Sequence, residues 1–311
     1  MNNLISVIVP AFNEEGNIEE FTRLFAEMVD RSDYDYELVF VDDGSTDSTF
    51  EKITDAAQKH AFIKHSRHPY NLGLTEALQS GFAAASGGIY VFYPADLQYL
   101  PEDIPTLVKP VIEGADVSTG WKQGKYKKRF VSSIYNYLSR KIFRLKVHDL
   151  NSVKAFRAEI LTDMFLRKDW HRYIVVMAAD KGRRIAEVKI PLYERQWGES
   201  KFSIWRIPVG VLDMIAVKTQ LTFLKKPLLY FGIAGLAMFA LAFIVGAYAI
   251  YLRFFLEQGQ RAYLYLVLLL AGSGMGLFIL GFLAEALASL KEETASIRCK
   301  LDRLIESDKR D

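Results

Sequence analysis

Thiol chemistry is nearly absent from this 311-residue chain, whose single cysteine is Cys299. One cysteine excludes an internal disulfide and a zinc site built on thiolates. The five histidines, His60, His65, His68, His148 and His171, show no H-E-x-x-H spacing and read as ordinary core or surface residues. Charge of one sign is also lacking: 39 basic residues face 37 acidic ones, a balance that argues nothing for nucleic acid, and no nucleic acid partner is expected. The chain has neither G-x-G-x-x-G after its first β-rich run nor G-x-x-x-x-G-K-[ST]. That argues against a classical dinucleotide fold and against a P-loop. The first residues lack a basic stretch and a small-residue cleavage site, so no signal peptide is expected there.

What is present is unevenly spread. Leu228–Leu252 and Ala262–Ala284 contain no charged residue. As helices each spans about 35 Å, enough for a hydrocarbon core of about 30 Å. Arg253 and Arg261 bracket the short link, so the pair reads as a transmembrane hairpin. Lys225 and Lys226 precede it, and Lys291, Arg298, Lys300 and Arg303 follow. This basic bias puts both flanks, and with them the N-terminal domain and the C-terminus, on the cytoplasmic side of an inner membrane. Gly272 and Gly276 form a G-x-x-x-G that can pack the hairpin. Before the hairpin, Ser203–Leu224 carries Trp205, Val209, Leu212, Ile215, Ala216 and Phe223, with Arg206, Asp213 and Gln220 on one stripe and Pro208 interrupting. It reads as one or two amphipathic helices lying in the interface, the other reading being a core helix of the soluble domain. In the tail, Leu287, Leu290, Ile297, Leu301 and Leu304 recur near heptad spacing, a candidate homo-oligomer contact. The expected plan is a soluble domain over 1–202, juxtamembrane helices over 203–226, two spans within 227–290 and a charged cytoplasmic helix over 291–311.

In the soluble domain, short β-rich runs (Ile5–Val9, Leu38–Val41, Ile63–His65, Tyr90–Tyr93, Val117–Thr119) alternate with helical periodicity over Glu14–Val29, Ser48–Lys59, Leu74–Ala85 and Pro101–Ile112. That alternation predicts a Rossmann-like α/β fold: a mainly parallel sheet with helices on both faces. Ligands then bind beyond the carboxyl ends of the strands. Polar clusters follow those ends: Pro10-Ala-Phe-Asn-Glu-Glu15, Asp42-Asp-Gly-Ser-Thr-Asp47 and Ala95-Asp-Leu-Gln98. Ser45 or Asp47 is expected to cap the next helix. Asp42, at a strand end, is suited to accept from a base N–H or a ribose hydroxyl.

These motifs, with Asn71-Leu-Gly-Leu74, Asp149-Leu-Asn-Ser-Val-Lys-Ala-Phe-Arg157 and Arg195-Gln-Trp-Gly-Glu-Ser-Lys201, resemble in order and spacing the family 2 glycosyltransferases of GT-A fold. Within them the chain is similar to the branch that loads a sugar onto polyprenyl phosphate, such as dolichol-phosphate mannose synthases and bactoprenol glucosyltransferases. The resemblance implies transfer of a hexose from a nucleotide-sugar donor (GDP-mannose or a UDP-hexose) to undecaprenyl or dolichyl phosphate at the cytoplasmic membrane face. It implies that Pro10, Phe12, Glu14 and Asp42 line the nucleotide pocket. Asp96 and Gln98 would approach a divalent cation, Mg2+ or Mn2+, and the diphosphate. Lys122, Arg129 and Ser133 would hold the acceptor phosphate, with Arg195 and Lys201 closing the site from the far side. Asp96, Gln98, Arg129 and Arg195 are thus the implied catalytic set. The chain departs from the family at Pro94, where Asp-Ala-Asp-Leu-Gln is usual, so one carboxylate of the metal site is missing and metal dependence is put in question.

A phosphate monoester is largely ionised at neutral pH, its second pKa being about 6, and needs no general base. That agrees with the lack of an evident Ser/His/Asp or Cys/His arrangement in the sequence. The reaction would be a direct, inverting displacement driven by positioning and by neutralising the leaving diphosphate. Lys122, Lys125, Lys127, Lys128 and Arg129 form a basic cluster suited to phosphate and to anionic lipid, with Trp121 and Tyr126 at headgroup level. His171 and Arg172 read as structural. Two other readings are an inactive glycosyltransferase-like scaffold, which Pro94 would mark, and a processive polysaccharide synthase. The second conflicts with the order of Arg195-Gln-Trp197 and with only two spans.

Overall fold

The computed structural model describes residues 4–124, 129–162, 164, 166–195, 197, 206–223, 226–258 and 261–308. Ile5, Val7, Ile8 and Val9 are fully buried, on both faces of their strand, as a central parallel strand requires. They form β1 (Ile5–Ala11), followed by α1 (Glu15–Asp30), β2 (Tyr36–Asp42), α2 (Thr49–Lys59), β3 (Ile63–Arg67), α3 (Leu74–Ala84) and β4 (Ile89–Phe92). Then come α4 (Ile104–Ile112), β5 (Val117–Gln123), α5 (Arg129–Phe143), β6 (Lys154–Arg157), α6 (Glu159–Thr162), α7 (Ile174–Asp180), β7 (Ile185–Pro191) and three longer helices, α8 (Arg206–Phe223), α9 (Pro227–Phe255) and α10 (Arg261–Asp308).

The strands join one sheet in the order β3-β2-β1-β4-β6-β5-β7. β1 pairs in parallel with β2 and β4, β2 with β3, and β5 with β7, whereas β6 runs antiparallel to both β4 and β5. The reversal brings the start of β6 to the edge where the other strands end: Lys154 lies opposite Phe92 and Thr119. Apolar faces of α1 and α4 cover the sheet. Phe21 sits edge-on to Phe40 at 5.9 Å and to Tyr93 at 6.4 Å. Truncating such a ring to alanine costs about 3–5 kcal/mol.

The chain divides into two compact units, Met1–Met214 and Ile215–Asp311, the boundary falling inside α8. α8 is one continuous helix, the first of the two forms the sequence left open: Pro208 lies in its first turn, where a missing N–H costs nothing. In the first unit, Met214 is fully buried with its sulfur 2.9 Å from the Ser139 hydroxyl, and the Gly210 carbonyl accepts from Tyr173 Oη at 3.4 Å. Val209 and Leu212 point the other way and are exposed.

The second unit is dominated by α9 against α10. Pro227 opens α9, and the Leu228 N–H that the helix leaves unpaired donates to the Glu285 carboxylate at 3.1 Å. Gly235 and Gly274 let the backbones meet: a Cβ on Gly235 would stand 2.8 Å from the Gly274 carbonyl oxygen, and one on Gly274 2.9 Å from that of Gly235. A Cβ on Gly272 or Gly276 would meet nothing within 4 Å, so the G-x-x-x-G does not pack the hairpin. Pro227–Phe255 and Arg261–Leu290 are each long and apolar enough to cross a membrane, with only 11% of the apolar window buried, unlike the core helix of a soluble protein.

Candidate active site

The strand order turns at β1, which lies between β2 and β4 while the chain crosses from one side to the other. At such a switch point the loops leaving neighbouring strands part and open a crevice beyond their carboxyl ends. The loops after β1 and β2 are laced together on one side of it. Asn13 N–H donates to Ser45 Oγ, Thr46 N–H to Asn13 Oδ1 and Glu14 N–H to Thr49 Oγ1, each at 2.9 Å. Asn13 adopts φ 56°, a left-handed conformation that asparagine tolerates. The Asp47 carboxylate accepts from Thr49 N–H at 3.1 Å, but the N-cap of α2 is Ser48, so neither Ser45 nor Asp47 holds the cap position the sequence reading expected.

Asp42, the last residue of β2, is fully buried. Its Oδ1 accepts from Ser45 N–H at 3.0 Å, and its Oδ2 lies 3.1 Å from Arg67 Nε at the end of β3. The Arg67 guanidinium stacks 4.5 Å over the Phe50 ring. Arg67 was not singled out in the sequence, where an arginine on the solvated edge strand carries no signal.

Asp43 plays a different part. Its two oxygens accept from Leu72 N–H and Gly73 N–H at 2.9 Å, which fixes the Asn71-Leu-Gly-Leu74 turn; Gly73 has φ 99°, open to glycine at little cost. Asp43 Oδ1 also lies 2.8 Å from His68 Nδ1, and His68 Nε2 lies 2.8 Å from Ser80 Oγ. The Asp–His–Ser connectivity that the sequence did not reveal is therefore present. Its aspartate also anchors a turn and its histidine is buried, so it serves as a loop brace.

Across the crevice, β4 leads into Pro94-Ala-Asp-Leu-Gln98. Leu97 holds φ 55°, uncommon for a branched residue and of the kind that collects at functional sites. Gln98 N–H donates to Asp96 Oδ1 at 3.2 Å, while Gln98 O accepts from Tyr193 N–H at 2.9 Å. That second bond ties the segment after β7 to the loop after β4 and delivers Arg195. Its Nη2 lies 2.9 Å from Asp96 Oδ2 and 3.1 Å from Glu14 Oε1, so one guanidinium nitrogen bridges the ends of β1 and β4. Trp197 lies against Gly16, where an added Cβ would stand 3.0 Å from its ring.

On the β5–β6 side, Lys122 Nζ lies 3.4 Å from Asp149 Oδ2 and donates to the Asn151 carbonyl at 3.1 Å. Lys154 is buried and donates to the Ser152 carbonyl at 2.8 Å. Burial pulls its ammonium down to about 7, Asp149 opposing and Lys122 and Arg172 adding to the fall. Tyr99 Oη lies 3.2 Å from Ser152 Oγ, and burial pushes that phenol up to about 12. Trp121 stacks on His148 at 4.0 Å, and His148 Nδ1 pairs with Glu187 at 2.6 Å. His171 is buried with Nδ1 2.9 Å from Thr75 Oγ1, and burial lowers it to about 3, as suits a structural residue.

Glu14, Asp96 and Arg195 thus converge. Pro10 and Phe12 lie at the end of β1 beside Asp42, and Gln98 adjoins Asp96. Lys122 stands at the end of β5. Arg129 and Ser133 fall in the first turns of α5, their side chains outside the described residues, as is Lys201 together with Lys125, Tyr126, Lys127 and Lys128. Asp149 and Lys154 join the basic side without having been predicted as site residues.

Among the described residues no three His, Cys, Asp or Glu side chains gather into a metal cage. Magnesium takes one or two carboxylates and completes its shell with water and substrate phosphate. The convergence of two carboxylate oxygens on the Arg195 cation meets that smaller demand. The residues therefore fit a divalent ion that shares its coordination with a diphosphate.

The family model described as Glycosyl transferase family 2 matches residues 6–168. The chain is 30% identical over 295 residues to a dodecaprenyl-phosphate galacturonate synthase of Rhizobium johnstonii, covering 91% of this chain and 87% of that one. It is 29% identical over 255 residues to an undecaprenyl-phosphate 4-deoxy-4-formamido-L-arabinose transferase of Pseudomonas fluorescens, covering 80% and 73%. Among solved structures, glucosyl-3-phosphoglycerate synthase of Mycobacterium tuberculosis, in complex with Mn2+, UDP and glucosyl-3-phosphoglycerate, superimposes with a TM-score of 0.56 at 22% identity, covering 70% of this chain and 80% of that one.

Proposed function

Because the chain belongs to glycosyl transferase family 2, we propose that it moves a sugar from a nucleoside-diphosphate donor onto a polyprenyl phosphate at the membrane. The observation that carries this reading is the meeting of Glu14, Asp96 and Arg195 at the β1/β4 switch point, in a chain that continues into two apolar helices. The relatives named for polyprenyl-phosphate products align across both parts of the chain.

In this reading the donor base and ribose lie over the end of β1, against Pro10 and Phe12, with Asp42 and Arg67 beneath. Asp42 is held rigid by Ser45 and Arg67, so it offers a fixed acceptor edge. The diphosphate faces Asp96, Gln98 and Arg195. Asp96, with Gln98 beside it and the Glu14 carboxylate across the crevice, would hold a divalent cation, Mg2+ or Mn2+, which would supply charge neutralisation at the leaving diphosphate. Arg195 adds a fork that matches phosphate oxygens two at a time. Lys122, Arg129, Ser133 and Lys201 hold the acceptor phosphate. One of its oxygens forms the bond to the anomeric carbon as the bond to the diphosphate breaks, with inversion and no proton to remove. Asp149 keeps the Lys122 ammonium in place from behind.

The test uses the purified full-length chain in detergent, long-chain polyprenyl phosphate and a panel of donors: GDP-mannose, UDP-glucose, UDP-N-acetylhexosamine, and the galacturonate and formamido-arabinose donors that the relatives suggest. A lipid product of polyprenyl phosphate plus one sugar is expected by mass. Asp96→Ala is expected to lower the rate by about a hundredfold or more, the scale of losing a group that stabilises developing charge, while the protein stays folded. Transfer to a soluble acceptor alone, or undiminished transfer by Asp96→Ala, overturns the reading.

A further inference from the structure

We propose that Arg195 is a built-in counter-cation that occupies the divalent-ion position of the donor site, and that Glu14 is the second carboxylate of that position. This rests on the glycosyl-transfer reading above and extends it to how the site is loaded.

Glu14 leaves β1 and Asp96 follows β4, and both side chains are mostly buried. Two carboxylates at neighbouring strand ends repel and lose hydration, so a positive charge must stand between them. Each has one oxygen fastened locally: Asn17 Nδ2 donates to Glu14 Oε2 at 2.6 Å, and Gln98 N–H donates to Asp96 Oδ1 at 3.2 Å. The other oxygen of each turns to Arg195 Nη2, within 3.1 Å. A divalent ion at that nitrogen's position needs each oxygen to close in by roughly 1 Å. The chain carries proline at position 94, two residues after the end of β4. Glu14 provides, from the adjacent strand, the carboxylate that Pro94 does not.

Guanidinium and ion cannot share the position. When donor and ion arrive together, Arg195 exchanges its two carboxylates for diphosphate oxygens, which its planar fork also fits. The ion takes the carboxylates. Without a nucleotide, the ion must displace Arg195 from both carboxylates with no diphosphate to take their place. Binding of ion and nucleotide is therefore strongly synergistic.

The experiment is a Mn2+ titration of the full-length chain in detergent, read by electron paramagnetic resonance, with and without UDP or GDP. The wild-type chain is expected to bind Mn2+ weakly alone. Arg195→Met is expected to tighten nucleotide-free binding by about tenfold, Arg195→Lys to leave it near wild type, and Arg195→Met with Glu14→Gln to lose the gain. Unchanged affinity in Arg195→Met overturns the proposal, as does a gain that survives Glu14→Gln. Glu14→Gln alone, titrated with nucleotide present, is an arm that does not need the Arg195 variant to fold: it should weaken Mn2+ about tenfold, and no change overturns Glu14 as a ligand. No acceptor lipid or transfer is involved. A chain that fails to glycosylate polyprenyl phosphate but shows these shifts sinks the functional reading and keeps this one.

Discussion

Pro94 and His171 are two residues whose replacement reads out separate properties of the domain. Proline stands at 94, where the resemblance drawn from the sequence implies a carboxylate. Restoring it by Pro94→Asp should lower the half-saturating Mn2+ concentration in the transfer assay by about tenfold, because a hard cation gains an oxygen ligand. An unchanged titration would place residue 94 away from the ion. His171 bears on stability. Burial holds it neutral down to about 3, against an ordinary value of 6.5. Between those values the unfolded chain binds a proton that the native chain refuses, so stability is lost as pH falls from 6.5 toward 3. At pH 5 the loss from this one group is about 2 kcal/mol. His171→Gln should flatten that arm of the thermal midpoint against pH, and an equally steep arm in the variant would assign the acid sensitivity to other groups. Of the candidate site residues, those at strand ends stood out because a polar residue after a β-branched run has few structural reasons to be there. Arg67, Asp149 and Lys154 were not: each reads locally as a surface charge, and only the sheet register brings Lys154 opposite Phe92.

At the scale of elements, the five strands that alternate with helices were legible from their β-branched runs and the turns between them. β6 was not singled out, because Lys-Ala-Phe-Arg is four residues long with no β-branched member and pairs only through long-range antiparallel partners. β7, Ile185–Pro191, is mostly half-buried and carries two charged side chains, so it reads as readily as a loop. In the hairpin, a spacing rule pointed to Gly272 and Gly276, but helix rotation decides which glycines touch, and rotation is set by the partner helix. Gly274 and, two turns on, Gly281 are the glycines of this helix in close contact with α9. Gly274→Leu should therefore cost about 1–3 kcal/mol through overpacking and lower the thermal midpoint in detergent. Gly272→Leu, with open space around it, should leave the midpoint within experimental scatter. Equal losses in the two variants would show that the contact seen at Gly274 does not hold the hairpin together.

At the scale of the whole molecule, two crossings return a chain to the side from which it started. If Pro227–Phe255 and Arg261–Leu290 both span, the sugar-binding domain and the charged tail share one face of the membrane. By the positive-inside rule, the basic residues before the first apolar helix and after the second would then make that face the cytoplasmic one, where nucleotide sugars are found, with Arg253 and Arg261 on the other. The cysteine poverty that excluded disulfides supplies the test. Cys299, the only thiol in the chain, lies in the C-terminal part of α10, beyond the second apolar stretch. A membrane-impermeant maleimide should label the native protein in inverted vesicles and leave it unlabelled on intact cells. With Cys299→Ser as background, Gln258→Cys in the link between the helices should give the reverse pattern. Labelling of Cys299 on intact cells would put the tail outside and, with two crossings, the donor site with it, away from its nucleotide sugar. Labelling of both positions from one side would mean that the apolar helices lie along the membrane rather than through it.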